Sequence, residues 1–143
     1  SSGYDHVFLR DGFVEAVQIV TAGRGVDVVL DPSGEPTRSQ SLSLLAPFGR
    51  LVVFGYASGN PDVPIAPGAL MAGNKAVVGY SISALNRTNP EHTAATIRRA
   101  IDLLVEGHIH VDITDTLPLE QAAIAHRRME SNATTGKMLL QVK

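Results

Sequence analysis

The sequence predicts an α/β fold built on a parallel sheet, and three observations carry that prediction. Val26-Asp27-Val28-Val29-Leu30-Asp31-Pro32-Ser33-Gly34 and Gly49-Arg50-Leu51-Val52-Val53-Phe54-Gly55 are each a short apolar run that ends in a polar, glycine-containing turn. A helix-length stretch separates them. Strand and helix patterns then alternate along the rest of the chain, which is the mark of an α/β architecture. A strand covered by helices on both faces reads as a continuous apolar run, and only its carboxyl end meets solvent or ligand. Ligands of open α/β sheets sit at those carboxyl ends. Asp31 to Gly34 and Phe54 to Gly59 are therefore the expected rim of a site, and no glycine-rich phosphate loop precedes them.

Taken in order, Asp5 to Leu9 reads as a short strand stopped by Arg10-Asp11-Gly12. Phe13, Val17 and Val20 recur at helical spacing, and Gly23-Arg24-Gly25 ends that helix ahead of the first strong strand. Pro36 to Ala46 is helical in length, with Leu42 and Leu45 as core contacts, and Pro47-Phe48-Gly49 breaks it. Residues 56–75 are rich in Gly, Pro, Ala and Asn and read as a long irregular connection. Ala76 to Ile82 is a third strand. Asn89-Pro90-Glu91 is a helix start, with a cap, a proline at the first helical position and an acid in the first turn. Ile97, Ala100, Ile101, Leu104 and Val105 then form one apolar stripe, expected to be buried, and Gly107 stops the helix. Ile109 to Ile113 is expected to be extended, Glu120 to Met129 helical, and Lys137 to Val142 a closing strand.

Composition bounds the function. The 143 residues hold 44% hydrophobic and 18% charged side chains, an ordinary globular balance. A formal net charge of −2 offers no basic face for nucleic acid. No apolar run approaches the roughly 20 residues that span a bilayer, so no membrane partner is expected. The absence of cysteine excludes disulfides and thiolate metal sites within these residues and suits a cytoplasmic location.

Several pieces, standing in order, resemble the medium-chain dehydrogenase/reductase superfamily, and in particular its zinc-independent quinone oxidoreductase branch. They are Asp5-His6-Val7, Gly23 to Asp31, Leu44 to Val52, Phe54-Gly55-Tyr56-Ala57-Ser58-Gly59, and the tail Ala125 to Ser131 followed by Thr134-Thr135-Gly136-Lys137. The resemblance implies the C-terminal part of a cofactor-binding domain, residues 1–143, of a zinc-type alcohol-dehydrogenase-like oxidoreductase that uses NADP or NAD. The fold it implies is a partial Rossmann-like, doubly wound parallel sheet lacking its first two strands and the phosphate loop. An N-terminal catalytic domain would precede these residues. With strand order 3-2-1-4-5-6, strands 3 to 6 are supplied here, so Asp5 to Leu9 has no native neighbour and is expected to be displaced, disordered or paired between chains. The Val26 strand presents an open edge, which invites a homo-oligomer, such as a dimer, through strand pairing.

The implied cofactor contacts are Ser33 and Gly34 in the first turn, Phe54, Gly55, Tyr56, Ser58 and Gly59 in the second, and Gly79 and Tyr80 at the end of the third strand. Gly55 would let backbone approach a flat ring, and Ser58 could donate to a phosphate or ribose oxygen. Each stretch also has a plain reading as a turn, since Asp-Pro and Ser-Gly are strong turn formers. Lys137 reads as a solvated lysine beside a strand. Gly23-Arg24-Gly25 is no phosphate loop, because it precedes a strand and lacks the third glycine. His108 and His110 have no third ligand near them in sequence, so no metal is expected. No residue shows the pattern of a catalytic acid, base or nucleophile. The segment by itself is expected to be inactive, the cofactor and a small-molecule substrate belonging to the intact parent. Two departures, no tyrosine at Phe8-Leu9-Arg10 and Asn132 where some relatives carry arginine, weigh against a strong preference for NADPH.

Two other readings fit parts of the chain. Asp27 to Asp31 followed by Leu44 to Leu51 also suits the later half of an S-adenosylmethionine-dependent methyltransferase, although the stripe at Ile97 to Val105 and the Thr-Gly-Lys tail favour the reductase. An exposed strand edge would also suit a non-catalytic oligomerisation module.

Overall fold

Two parallel ladders organise the chain in a computed structural model that describes residues 3–131 and 134–142. Asn132 lies outside the described residues. The ladders belong to two compact units, Ser1–Leu85 and Asn86–Lys143.

In the first unit the apolar runs become β1 (Val26–Asp31), β2 (Leu45–Val53) and β3 (Ala76–Gly79), parallel and in the order β1-β2-β3. The crossovers carry α2 (Thr37–Ser43) and α3 (Pro67–Gly73). This is the expected α/β architecture, with the carboxyl ends of three parallel strands on one side. Leu51 is fully buried at the centre of β2, with Leu44, Leu45 and Ala46 buried beside it, as apolar burial requires.

The chain enters the ladder earlier than the sequence suggests. α2 stops at Ser43, and Leu45 already pairs with Val26, whereas Val28 pairs with Arg50. The residues from Ala46 to Gly49 bulge between those pairs. Pro47 has no N–H to donate, and Phe48 takes a left-handed φ of 65°. A Cβ on Gly49 would meet the Ala46 carbonyl oxygen at 2.8 Å. A second difference is α3, inside the connection expected to be irregular. Pro67 opens it at the first helical position, and Asn74 closes it in a left-handed conformation.

Asp5 to Leu9 joins no ladder, and Val7 and Leu9 are exposed. α1 (Phe13–Val20) forms where the spacing places it but buries no residue. Among the described residues β1 has one ladder, to β2, and Val28 and Leu30 are exposed. β3 ends at Gly79, short of the expected Ile82, because α4 (Ile82–Thr88) begins there.

In the second unit α5 (Pro90–Val105) starts as its sequence dictates. Asn89 Oδ1 accepts the His92 N–H at 3.1 Å, with Pro90 at the first helical position and Glu91 in the first turn. Replacing Asn89 with alanine should therefore cost about 1 kcal/mol, read as a small drop in the thermal midpoint without loss of helical circular dichroism. The predicted stripe is not buried. Ile97, Ile101, Leu104 and Val105 are exposed, and Thr93 is the buried residue of the helix. Periodicity marks which face is apolar and says nothing about what covers it.

β4 (Ile113–Pro118) lies later than expected and pairs in parallel with β5 (Lys137–Gln141). A short 3-10 turn (Leu119–Gln121) and α6 (Ala122–Glu130) make the crossover. Leu117 and Ala125 are buried there, and Arg128 pairs with Asp115. The Thr-Gly-Lys tail has a backbone explanation. Gly136 has φ 69°, and a Cβ on it would stand 2.6 Å from the Asp112 carbonyl oxygen.

Candidate functional site

The two expected rims meet. β1 ends on Asp31, whose buried Oδ1 accepts the N–H of Ser33 at 2.8 Å and of Gly34 at 3.0 Å, folding the chain back on itself. Gly34 takes φ 88°, a conformation that glycine adopts without strain. The stretch after β2 is then laced to this turn. Phe54 N–H donates to the Asp31 carbonyl at 3.1 Å, Ala57 N–H to Pro32 at 3.2 Å, and Ser58 N–H to Ser33 at 2.7 Å.

A buried cation binds the two together. Arg38, in the first turn of α2, donates through Nε to Asp31 Oδ2 at 2.6 Å and through Nη2 to the Gly55 carbonyl at 3.0 Å. Its Nη1 donates to Asp62. Burial alone would raise the Asp31 carboxyl. The hydrogen bond from Arg38, those from Gly34 and Ser33, and the Arg38 charge together outweigh it and hold the carboxyl below its ordinary value. The hydrogen bond to Asp31 leads in raising Arg38 above its own ordinary value, against the opposing effect of burial.

A cavity of about 310 Å³ opens at the carboxyl ends of β2 and β3, lined by Phe54, Gly55, Tyr56, Tyr80 and Ser81 among others. Tyr80 is anchored by its N–H, which donates to the Val53 carbonyl at 2.8 Å. Its ring and those of Phe54 and Tyr56 are about half exposed. Gly79 precedes Tyr80, and a Cβ there would meet nothing within 4 Å, so local packing does not demand a glycine.

Of the nine residues singled out from the sequence, Phe54, Gly55, Tyr56 and Tyr80 thus line one cavity, and Gly79 directly precedes Tyr80 in the chain. Ser33, Gly34 and Ser58 sit together in the laced rim, where a Cβ on Gly34 would lie 3.0 Å from Ser58 Oγ. Gly59 closes a turn with φ 67° and open space around it. The sequence reading missed Arg38, Asn60 and Asp62. These act through partners as many as 25 residues away, a distance at which no spacing pattern operates.

A larger cavity, about 380 Å³, lies in the second unit between Thr114, Arg128 and Thr135. It opens at the amino ends of β4 and β5, and its arginine is committed to Asp115. His108 stands just beyond α5, 3.7 Å from Glu106.

The sequence pattern of the zinc-binding dehydrogenases matches residues 2–140. The chain belongs to that family. A 2-haloacrylate reductase from a Burkholderia species is 33% identical over 135 residues, which are 90% of this chain and 38% of that protein. A synaptic vesicle membrane protein, VAT-1, of Tetronarce californica is 34% identical over 138 residues, 85% of this chain and 35% of that one. The crystal structure of Escherichia coli quinone oxidoreductase complexed with NADPH superposes with a TM-score of 0.77 at 31% identity, covering 93% of this chain and 41% of that structure. This family member therefore spans about two fifths of the length of such relatives. The likeness establishes the Rossmann-like character of the fold. Among the described residues no three of His, Cys, Asp and Glu come together to hold a metal ion. No helix among them is long and apolar enough to cross a membrane.

Proposed function

We propose that residues 1–143 form the C-terminal portion of the NAD(P)-binding domain of a quinone or enone reductase and supply the nicotinamide-side half of its cofactor site. The observation that carries this reading is the cavity at the carboxyl ends of β2 and β3, walled by Phe54, Gly55, Tyr56 and Tyr80. That is where open α/β sheets bind ligands. Half-exposed aromatic rings beside an open glycine suit a flat, uncharged ring. Family membership separates this reading from the methyltransferase one, and the NADPH complex of the Escherichia coli relative supports the choice of cofactor.

When bound, the cofactor supplies hydride chemistry. Phe54, Tyr56 and Tyr80 would hold its nicotinamide end and keep water from it. Gly79 would let backbone approach the ring, Gly55 would offer its main chain to the cavity wall while packing against Pro32, and Ser58, with Ser33, Gly34 and Gly59, would face its ribose side. No side chain of this segment is assigned a proton transfer. The intact protein would be cytoplasmic and act on a small molecule, and this segment would pair through the open β1 edge into a homo-oligomer.

Pyrophosphate affinity comes from a helix N-terminus and its glycines, and these 143 residues carry no such loop. NADPH or NADH should therefore bind this segment weakly, with NMR shift changes at the Phe54 to Tyr56 and Tyr80 amides. Tyr80→Ala should reduce the affinity by up to about tenfold. Tight binding, or shifts centred elsewhere, would overturn the proposal.

A further inference from the structure

We propose that Arg38 is a positioning residue that pins the segment from Gly55 to Asp62 onto the Asp31 turn, with Asp62 as its solvent-side latch. The guanidinium is buried, and its three nitrogens each have a different partner. Nε donates to Asp31 at the end of β1, Nη2 to the carbonyl of Gly55, and Nη1 to Asp62. The segment thus begins and ends on one side chain. Between those points the Arg38 Cζ stands 5.8 Å from the centroid of the Tyr56 ring, close enough for a cation–π contact.

The segment needs such a fastening. It contains no helix or strand, and glycine, asparagine and proline give it little local preference for one path. Asn60 adds a second stitch, donating through Nδ2 to the Glu35 carbonyl at 3.0 Å and through its N–H to Ser58 Oγ at 3.2 Å. The Tyr56 hydroxyl donates to the Asn60 carbonyl. Tyr56 and Ser58, two of the proposed cofactor contacts, are therefore placed by Arg38 and Asn60.

The two halves of the fastening differ in burial. The Asp31 side chain is 2% exposed and that of Asp62 is 61% exposed. A buried pair is insensitive to salt, whereas an exposed one is screened and contributes little to global stability. The outer half can release while the inner half stays closed. The latch stands on the geometry alone. Its consequence for ligand rests on the cofactor site proposed above.

Hydrogen–deuterium exchange on the intact chain tests it, with NADPH titration in parallel. In Asp62→Asn the Ala57, Ser58 and Gly59 amides should exchange about tenfold faster, the ratio expected when one charge-assisted hydrogen bond is lost. The Tyr80 amide and the thermal midpoint should stay unchanged. High salt should reproduce the effect in the wild type, and Asp62→Glu should reverse it. Arg38→Lys keeps the charge and loses the fork, so it should loosen the same amides. If that variant fails to fold, Asp62→Asn still decides. Unchanged exchange at Ala57 to Gly59, or an equal rise at Tyr80, would overturn the latch. Weaker NADPH binding in Asp62→Asn would extend the latch to the ligand. Faster exchange without any NADPH binding by the wild type would uphold the latch and sink the cofactor site.

Discussion

Replacing Asp31 with alanine should destabilise the first unit by about 3–5 kcal/mol, a large part of the roughly 5–15 kcal/mol that holds a typical domain together. The reason is what the substitution leaves behind. Arg38 would remain buried without its inner carboxylate, and the Ser33 and Gly34 N–H groups would lose their acceptor. Removing one member of a buried pair costs more than the pair contributes, because the other charge stays out of water. Urea unfolding followed by circular dichroism measures the loss. Asp27→Ala is the control, since its pair with Arg24 is 64% exposed on the Asp27 side and should be worth no more than about 1 kcal/mol. Equal effects from the two substitutions would mean that the Asp31 pair is not the anchor of the rim.

The same pair sets an acid limit. A carboxyl held below its ordinary value of 3.8 in the folded state adds stability that is present above that value. The contribution is lost as pH falls through the lower, folded-state value. Wild-type stability should therefore decline on the acid side of 3.8, and Asp31→Asn should flatten that part of the profile. A profile unchanged by the substitution would contradict the assignment.

The strands and the rim were legible because burial on both faces leaves a local trace, a run of apolar residues ending in Asp-Pro-Ser-Gly or Phe-Gly-Tyr. The start of α5 was legible for a similar reason, since capping acts within four residues. What was not legible depends on partners far along the chain. Arg38 reads as one more polar residue of a short helix until Asp62, 24 residues later, closes on it. The early entry into β2 was hidden because Pro47 and Gly49 signal a break equally well as a turn or as a bulge. The Ile97 to Val105 stripe was read correctly as apolar and wrongly as buried, because a sequence pattern fixes a face and not its cover.

Gly55 joins fold and site most closely, and Gly55→Ala should damage both. Nothing in the sequence separates it from glycines that merely serve turns, and its backbone conformation is not left-handed. The constraint is spatial. A Cβ on Gly55 would stand 2.4 Å from the Pro32 carbonyl oxygen, 2.8 Å from its Cα and 2.9 Å from its carbonyl carbon. All three are main-chain atoms, so no side chain can swing away, and the two rims must part. Overpacking of this kind costs about 1–3 kcal/mol. The separation would also lengthen the Ala57-to-Pro32 and Ser58-to-Ser33 hydrogen bonds and carry the Gly55 carbonyl away from Arg38. The expected result is a lower unfolding midpoint, faster exchange at the Ala57 and Ser58 amides, and loss of the cofactor-induced shifts at Phe54 to Tyr56. Gly79→Ala is the matching control, because a Cβ there meets open space. It should leave stability within about 0.5 kcal/mol of the wild type, while still intruding on a ring bound beside Tyr80. If Gly55→Ala proves as stable as the wild type with its amides still protected, the two turns do not need the close approach of Gly55 to Pro32.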